Sequence, residues 1–415
     1  MSARLRWTIV GVLCLGMMIA YFDRVNLSMA VAEKDPAKSI TASLHLTDRD
    51  RDERGPLHSA FFFSYAPLQI PAGWVVDHFG VRTPFALGFL FWGLISAGTA
   101  LARSTRQVFL FRLLLGVGEA VVTPAGMRWI RFHCAENQRG LAVGLYMAAA
   151  KVGPGVGAPI AAWLIGAYGW RTMFVILGLG SLIWLAPWLK LVKDDDRMLE
   201  SAQVRKTPAA SVPFGTIMAS PVIWGTIVGT FCYQYFVYFC MTWLPTYFST
   251  RWELDLKKTG LLTMSTFLGM AVVATLAGWA ADRLIDRGGN PVLVRKAFTI
   301  AGFLLASTQL IGPLSGSRSV ALFFAVFSLS ALGLMTANYW ALTQTLIPGA
   351  AVGRIVGIQN CAANVPGIVA PLLTGWLLQA KGSYVAPMLA IEILLLAGAT
   401  AYLFLVREKY APKRT

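Results

Sequence analysis

The chain has 415 residues, of which 56% are hydrophobic and 13% charged, with a formal net charge of +16 at pH 7. Soluble domains carry about 25% charged residues, so this composition, with a mean hydropathy of +0.60, gives an integral membrane protein. The bases are scattered through short segments between apolar runs, with no basic stripe on a polar helix, which follows the positive-inside pattern and excludes nucleic-acid binding.

Twelve apolar runs recur, each long enough to cross about 30 Å of hydrocarbon: 6–32, 57–77, 83–103, 106–131, 139–167, 170–192, 220–249, 259–284, 294–313, 319–347, 351–380 and 384–407. The N-terminal Met1–Arg6 imitates a secretory signal. The run after it has no small-x-small cleavage pattern, so an uncleaved first span is expected. That run opens at Trp7 and meets no charge until Asp23, within Tyr21-Phe22-Asp23-Arg24-Val25-Asn26. An acid beside a base in a membrane-length helix is costly to bury and marks a substrate or proton path; the bland reading is a neutral pair that locks helix packing.

A polar stretch, 33–56, follows the first span, and Gly73-Trp-Val-Val-Asp77-His78-Phe-Gly80-Val-Arg82 ends the second. The fourth carries Arg112 and Glu119, seven residues and two turns apart on one face. An ionised Glu119 is expected to hold Arg112 and a protonated one to release it, a proton switch; the competing reading is a static brace. Lys151 lies in the fifth span, some 18 Å from its cytoplasmic end, too deep for easy snorkelling, so it is expected to face a central cavity. With Arg24 it supplies two cations, which suits a dicarboxylate; the competing reading is a lysine paired to a helix-end carbonyl or to Asp23. The nearby Gly153-Pro154-Gly155-Val156-Gly157 is expected to allow close helix packing or bending. It is no phosphate cradle, because no strand precedes it and no Gly-Lys-Ser/Thr follows.

The second long polar stretch, from Lys193-Asp194-Asp195-Asp196 to Ser220, divides the chain into an N-terminal six-helix half (1–192), a cytoplasmic linker (193–219) and a C-terminal six-helix half (220–415). The halves echo each other. Gly278-Trp-Ala-Ala-Asp282-Arg283 matches the segment at Gly73, and Gly140 and Gly144 align with Gly353 and Gly357, which sets Lys151 against Asn364. The fold class expected is therefore an all-α polytopic membrane protein of twelve transmembrane helices in two pseudo-symmetric six-helix halves. Lysines and arginines are more numerous in the segments that share a side with the N-terminus, while Glu33, Asp35, Asp48, Asp50, Asp52, Glu53, Glu253 and Asp255 lie on the other side. Both termini are accordingly expected to be cytoplasmic.

The second half offers neutral polar and aromatic groups: Tyr233, Gln234 and Tyr238 in span seven, Asn338, Tyr339, Trp340 and Gln344 in span ten, and Gln359, Asn360 and Asn364 in span eleven. Together with Tyr65 of span two they suit recognition of hydroxyl groups, although each alone also serves as glue between helices. Glu392 in span twelve is read as structural. The five cysteines (Cys14, Cys134, Cys232, Cys240, Cys361) show neither metal-ligand nor disulfide spacing. The four histidines lie in loops or at span ends. No metal, cofactor or enzymatic constellation is therefore expected.

The segment Gly73-xxx-Asp77-His78-x-Gly80-x-Arg82 resembles the loop signature of the major facilitator superfamily, and Gly278…Arg283 resembles its weaker second copy. Tyr21-Phe-Asp23-Arg24-x-Asn26, Arg112-Leu-Leu-Leu-Gly116-Val-Gly-Glu119 and Trp243-Leu-Pro245-Thr-Tyr247 are similar to the anion:cation symporter family within it. That family holds bacterial sugar-acid and phthalate carriers and relatives such as sialin and the vesicular glutamate transporters. The resemblance covers essentially the whole chain. It implies alternating access and proton-coupled import of a small organic anion such as an aldonate, uronate or aldarate. Asp23 and Glu119 would carry protons, with Arg112 as gating partner. Arg24, Lys151, Tyr21, Tyr65, Gln234, Tyr238, Asn338, Trp340 and Asn364 would meet the substrate. Asp77, Arg82, Asp282 and Arg283 would brace the cytoplasmic gate. The sugar-acid carriers tend to hold a neutral amide near position 151, so Lys151 is a departure from the pattern. A monomer in a bacterial inner membrane is expected. A phthalate-like substrate, anion exchange, and a transporter-like membrane sensor are the alternatives.

Overall fold

The computed structural model describes residues 2–48, 51–134, 136–193, 215, 218–346 and 349–411. The expected linker 193–219 lies for the most part outside them, as does the side chain of Gln344. Among the described residues the regular structure is helical, apart from a two-residue antiparallel ladder that pairs Thr47–Asp48 (β1) with Arg51–Asp52 (β2).

Packing divides the chain into two compact units: Met1–Pro208 with Pro245–Met264, and Ala209–Leu244 with Ser265–Thr415. The first holds α1 (Ala3–Ala32), a short α2 (Ile40–Ser43), α3 (Arg54–Phe79), α4 (Arg82–Gly98), α5 (Thr105–Glu119), α6 (Val122–His133), α7 (Glu136–Ser181) and α8 (Leu185–Leu191). Side chains close the helix starts where the backbone leaves N–H groups unpaired: Ser2 accepts from Leu5 N and Ser104 from Gln107 N. α3 and α7 each hold two prolines inside the helix (Pro67 and Pro71, Pro154 and Pro159), as membrane helices tolerate.

α1 and α7 form the most extensive helix pair of this unit. A Cβ on Gly153 would lie 2.5 Å from the Met18 carbonyl oxygen and 2.9 Å from Tyr21 Cβ, and one on Gly157 would lie 2.4 Å from the Phe22 ring. These glycines let the backbone of α7 reach α1, which meets the expectation of close packing. α7 is interrupted at Gly169, whose φ of 82° lies in the left-handed region that favours glycine. Trp170 is fixed across that break: its amide donates to the Lys38 carbonyl (3.2 Å) and its indole to Ser43 Oγ (3.2 Å).

The second unit holds α9 (Pro221–Thr242), most of α10 (Leu256–Asp286), α11 (Pro291–Ala306), α12 (Arg318–Leu346), α13 (Gly349–Lys381) and α14 (Val385–Phe404). Pro291 starts α11 at a position where its missing N–H costs nothing, and Asn290 caps it through Val292 N and Leu293 N. α9 packs on α13 and α14, and α11 on α12. The first turns of α10 fall with unit 1, because Gly260 abuts Ala162 and Pro159 of α7.

Among the described residues, ten helical stretches are long and apolar enough to cross a membrane. One of them, Leu141–Leu191, has 51 residues, about 77 Å of helix and more than twice the hydrocarbon thickness. It contains the break at Gly169. Large apolar side chains such as Ile70, Trp74, Ile183, Trp279 and Trp376 are exposed around both units. An apolar surface of that extent suits lipid and not water. The protein is an integral membrane protein.

Candidate functional site

Four charged residues of the apolar runs come together within unit 1, where Asp23, Arg24, Arg112 and Glu119 are all at most 6% exposed. Four helices deliver them. α1 carries the adjacent acid and base, and α4 faces the acid with Trp92 and Ser96, one turn apart and on one side. α5 brings Arg112 and Glu119, and α3 supplies aromatic rings. Gly116 sets α5 against α3, since a Cβ there would lie 2.4 Å from the Phe61 carbonyl oxygen and 3.0 Å from Tyr65 N.

Asp23 sits in a nest of donors. Its Oδ1 accepts from Asn26 Nδ2 (2.8 Å) and Ser96 Oγ (2.8 Å), and its Oδ2 from Trp92 Nε1 (3.1 Å). Three donors aimed at one carboxylate compensate part of the cost of burying it. Of these partners, Asn26 lay within the sequence motif. Trp92 and Ser96 did not stand out, because a tryptophan and a serine in an apolar run are ordinary.

Arg24 donates from Nε to Glu119 Oε2 at 2.8 Å, a buried ion pair. Its guanidinium carbon also lies over three rings: 4.2 Å from the centroid of Tyr21, 4.4 Å from Tyr65 and 4.7 Å from Phe61. Phe61 and Tyr65 stack at 4.9 Å, so two walls of this cage are one rigid block. Each ring contributes about 0.5–2 kcal/mol to holding the cation. Arg24 is therefore retained by neutral surroundings as well as by Glu119.

The expected pairing of Glu119 with Arg112 is corrected here: the hydrogen-bonded partner of Glu119 is Arg24. Two turns of helix separate Glu119 and Arg112 by about 10 Å along the axis. Glu119 also closes α5, the chain passing through Ala120 and Val121 before α6, so its side chain meets α1. The guanidinium carbon of Arg112 lies 5.3 Å from the centroid of Phe61, the ring it shares with Arg24. Its Nε and Nη1 make no hydrogen bond among the described residues.

Lys151 is half-buried on α7, and Tyr21 is half-buried while Tyr65 is 2% exposed. In unit 2 the expected polar residues are only partly gathered. Asn338 Nδ2 donates to the Leu334 carbonyl (2.9 Å) and Asn364 Nδ2 to that of Asn360 (2.8 Å), each one turn back on its own helix. Asn338 Oδ1 is buried without a hydrogen-bond partner among the described residues. Gln234 and Trp340 are half-buried and Tyr238 is buried. The links between helices are made by other residues. Gln359 donates to Thr230 Oγ1 (2.8 Å), and Tyr233 meets Thr336 Oγ1 (3.0 Å) and packs on Tyr339, which packs on Trp340.

At the proposed gate, Asp77 pairs with Arg128 of α6 (2.6 Å), and Arg82 donates to the Leu189 carbonyl on α8 (2.8 Å). Asp282 pairs with Arg295 at 2.9 Å, and Arg283 is exposed in the last turns of α10. Arg128 and Arg295 went unremarked in the sequence because bases near span ends are the rule.

The chain matches the profile of the Major Facilitator Superfamily over residues 13–371. It is 32% identical to the "Probable sulfoacetate transporter" of Cupriavidus necator, over 96% of this chain and 94% of that one. It is 28% identical to the "Probable L-galactonate transporter" of Escherichia coli, over 98% and 90% respectively. Among solved structures, it matches a bacterial homolog of the human lysosomal transporter Spinster in an inward-facing conformation. That match has a TM-score of 0.76, 16% identity and full coverage of both chains. A D-xylose–proton symporter also matches at TM-score 0.76 and 17% identity, over 99% of this chain and 98% of that one; at these identities the likeness concerns the fold alone. The chain belongs to the Major Facilitator Superfamily and is a membrane transporter, not an enzyme.

Proposed function

We propose that the protein is a proton-coupled symporter that imports a small organic anion, of the sugar-acid or short acidic type, by alternating access. The observation that carries this reading is the buried Arg24–Glu119 pair inside its aromatic cage, beside the donor-wrapped Asp23. While Glu119 is ionised it occupies Arg24. Once Glu119 takes a proton the charge on Arg24 is no longer answered, yet the Tyr21, Phe61 and Tyr65 rings keep the guanidinium in place. An incoming carboxylate or sulfonate then replaces Glu119 as the partner. Deprotonation in the more alkaline cytoplasm restores the internal pair and expels the anion.

In this scheme Asp23 is the second proton carrier and Arg112 the gating cation that answers both acids. Arg24, Lys151, Tyr21 and Tyr65 meet the acidic end of the substrate. Gln234, Tyr238, Asn338, Trp340 and Asn364 are assigned to its hydroxyl or apolar remainder. Asp77, Arg82, Asp282 and Arg283 belong to the cytoplasmic gate. Twelve crossings in two six-helix halves, both termini cytoplasmic, and a monomer in a bacterial inner membrane complete the reading. The relatives named as sulfoacetate and L-galactonate transporters support an organic anion as cargo.

The test is proton movement in proteoliposomes holding the purified protein and a trapped pH dye, challenged with aldonates, uronates, aldarates, sulfoacetate and phthalate. Acidification of the vesicle lumen on addition of one of these anions is expected, with its loss in Asp23→Asn and Glu119→Gln. Anion-for-anion exchange without proton movement would overturn symport in favour of an exchanger.

A further inference from the structure

Glu392 takes no part in the symport scheme, and its surroundings in unit 2 give it a separate task. It stands two turns into α14, about 10 Å from that helix's first residue. Met388, Ile391 and Leu395 beside it are buried, whereas Leu389, Ile393 and Leu396 are exposed on the apolar outer surface. The side chain therefore lies at the seam between the core of unit 2 and its lipid-facing side. Opposite it, α11 gives way to one 3₁₀ turn, Ser307–Leu310, which packs on α14. Ser307 and Gln309 of that turn face the carboxyl.

The hydrogens around this carboxyl do not suffice if it is ionised. The Ser307 hydroxyl donates to the Phe303 carbonyl (3.1 Å) and has only lone pairs left to offer. Gln309, 5% exposed, donates from Nε2 to the Met388 carbonyl (2.7 Å), which uses one of its two amide hydrogens. Gln309 Oε1 and Glu392 Oε2 are both buried, and among the described residues neither has a hydrogen-bond partner. Two buried acceptors without a donor are costly, the more so if one is charged. No cation is placed to answer that charge either. α9 carries no charged residue, and Arg295 and Lys296 of α11 lie about 16 Å of helix or more before Ser307. Arg354 and Lys381 stand near the two ends of α13, and an exposed Arg318 opens α12. The remaining titratable groups of these helices are cysteines and tyrosines, which cannot carry positive charge.

We propose that Glu392 holds a resident proton and forms a cyclic acid–amide pair with Gln309. The carboxyl O–H donates from Oε2 to Gln309 Oε1, and the second Nε2 hydrogen of Gln309 returns to the other carboxyl oxygen. A single hydrogen placed on Oε2 thus satisfies both unpartnered oxygens at once. The pair clasps the 3₁₀ turn to α14 at the point where the regular ladder of α11 ends. Its proton belongs to unit 2 and is distinct from those assigned to Asp23 and Glu119 in unit 1.

Infrared spectroscopy of the purified protein in liposomes reads this proton directly. At neutral pH the difference between native protein and Glu392→Gln is expected to show the carbonyl stretch of one protonated carboxylic acid and no carboxylate bands. Glu392→Gln retains the native melting temperature, because the substituted amide both donates to Gln309 and accepts from it. Glu392→Met, of similar length but without a donor, melts several degrees lower. In Gln309→Leu the Glu392 carbonyl band moves to higher frequency as its amide partner is lost, a change that a purely steric role would not produce. Carboxylate bands for Glu392 in the native protein at neutral pH overturn the inference. A melting temperature raised by sodium chloride over choline chloride, in native protein and not in Glu392→Gln, overturns it also, in favour of a metal cation between the two oxygens.

Discussion

Replacing Glu119 by glutamine keeps the shape of the side chain and removes its charge. The ion pair it makes with Arg24 is 2.8 Å long and fully buried. At an effective dielectric of about 20 the attraction over that distance is about 6 kcal/mol. Desolvation of the two ions offsets a good part of it, and breaking a buried pair typically costs about 3–5 kcal/mol. In the Glu119→Gln protein Arg24 keeps its three aromatic neighbours and gains a neutral amide acceptor, a hydrogen bond contributing about 1 kcal/mol. The competition that an entering anion must overcome therefore falls by about 2 kcal/mol or more, roughly 30-fold in affinity. The assay is anion binding by calorimetry or ligand-induced thermal shift in detergent, at acid and at alkaline pH. Native protein is expected to bind more weakly as pH rises, while Glu119→Gln holds the tighter value throughout. In proteoliposomes the same variant keeps counterflow and loses accumulation driven by a pH gradient. Unchanged binding at alkaline pH, or accumulation that persists, would refute the reasoning.

Gly153→Ala is expected to lower the melting temperature and transport, because its Cβ would collide with the Met18 backbone carbonyl; Gly144→Ala, with nothing within 4 Å, is expected to be neutral or stabilising by up to about 1 kcal/mol. The Asp77–Arg128 pair joins an exposed acid (68%) to a buried base (7%). Asp77→Ala removes the carboxylate of a buried guanidinium and should destabilise more than exposed pairs do, which contribute about 0–1 kcal/mol; Asp77→Asn, which keeps an acceptor, should lose less, as measured by thermal unfolding. Asp255, in the exposed segment before α10, caps that helix: the Lys258 amide donates to its carboxylate (2.8 Å) and holds its pKa below the ordinary aspartate value. A depressed carboxylate stabilises above its unfolded pKa and loses that contribution as pH falls through its folded one, so acid titration should show a component below about pH 4. That component should vanish in Asp255→Ala, which also costs about 1 kcal/mol at neutral pH.

The charged residues of the site were visible in the sequence for an energetic reason. Asp23, Arg24, Arg112, Glu119 and Lys151 interrupt apolar runs, where a charge is expensive enough to stand out. Their pairing was not visible. Residues on one helix can be placed by period alone, and that reasoning put Arg112 with Glu119. The true partner, Arg24, comes from α1, and which helices adjoin is a tertiary fact. Phe61, Trp92 and Ser96 escaped for the opposite reason: each is common in a membrane span, and only its neighbours give it a role. The helix break at Gly169 fell between two expected spans, whereas the close approach at Gly153 and Gly157 was legible because three glycines stand at alternate positions.

The nest around Asp23 restricts how that carboxyl can accept a proton. The Trp92 indole N–H only donates, so it cannot receive a hydrogen from a protonated acid, whereas the Asn26 amide receives one only by turning over to present its Oδ1. The Ser96 hydroxyl can rotate and become an acceptor, and it touches Oδ1. Neutral Asp23 therefore has two partners able to reverse their polarity, the Ser96 hydroxyl and the Asn26 amide, both on Oδ1. Loading this site with a proton needs only a turn of the Ser96 hydroxyl on α4 or of the Asn26 amide on α1, a motion that displaces neither helix. Serine at 96 works as a swivel, a property that threonine would keep and alanine would abolish.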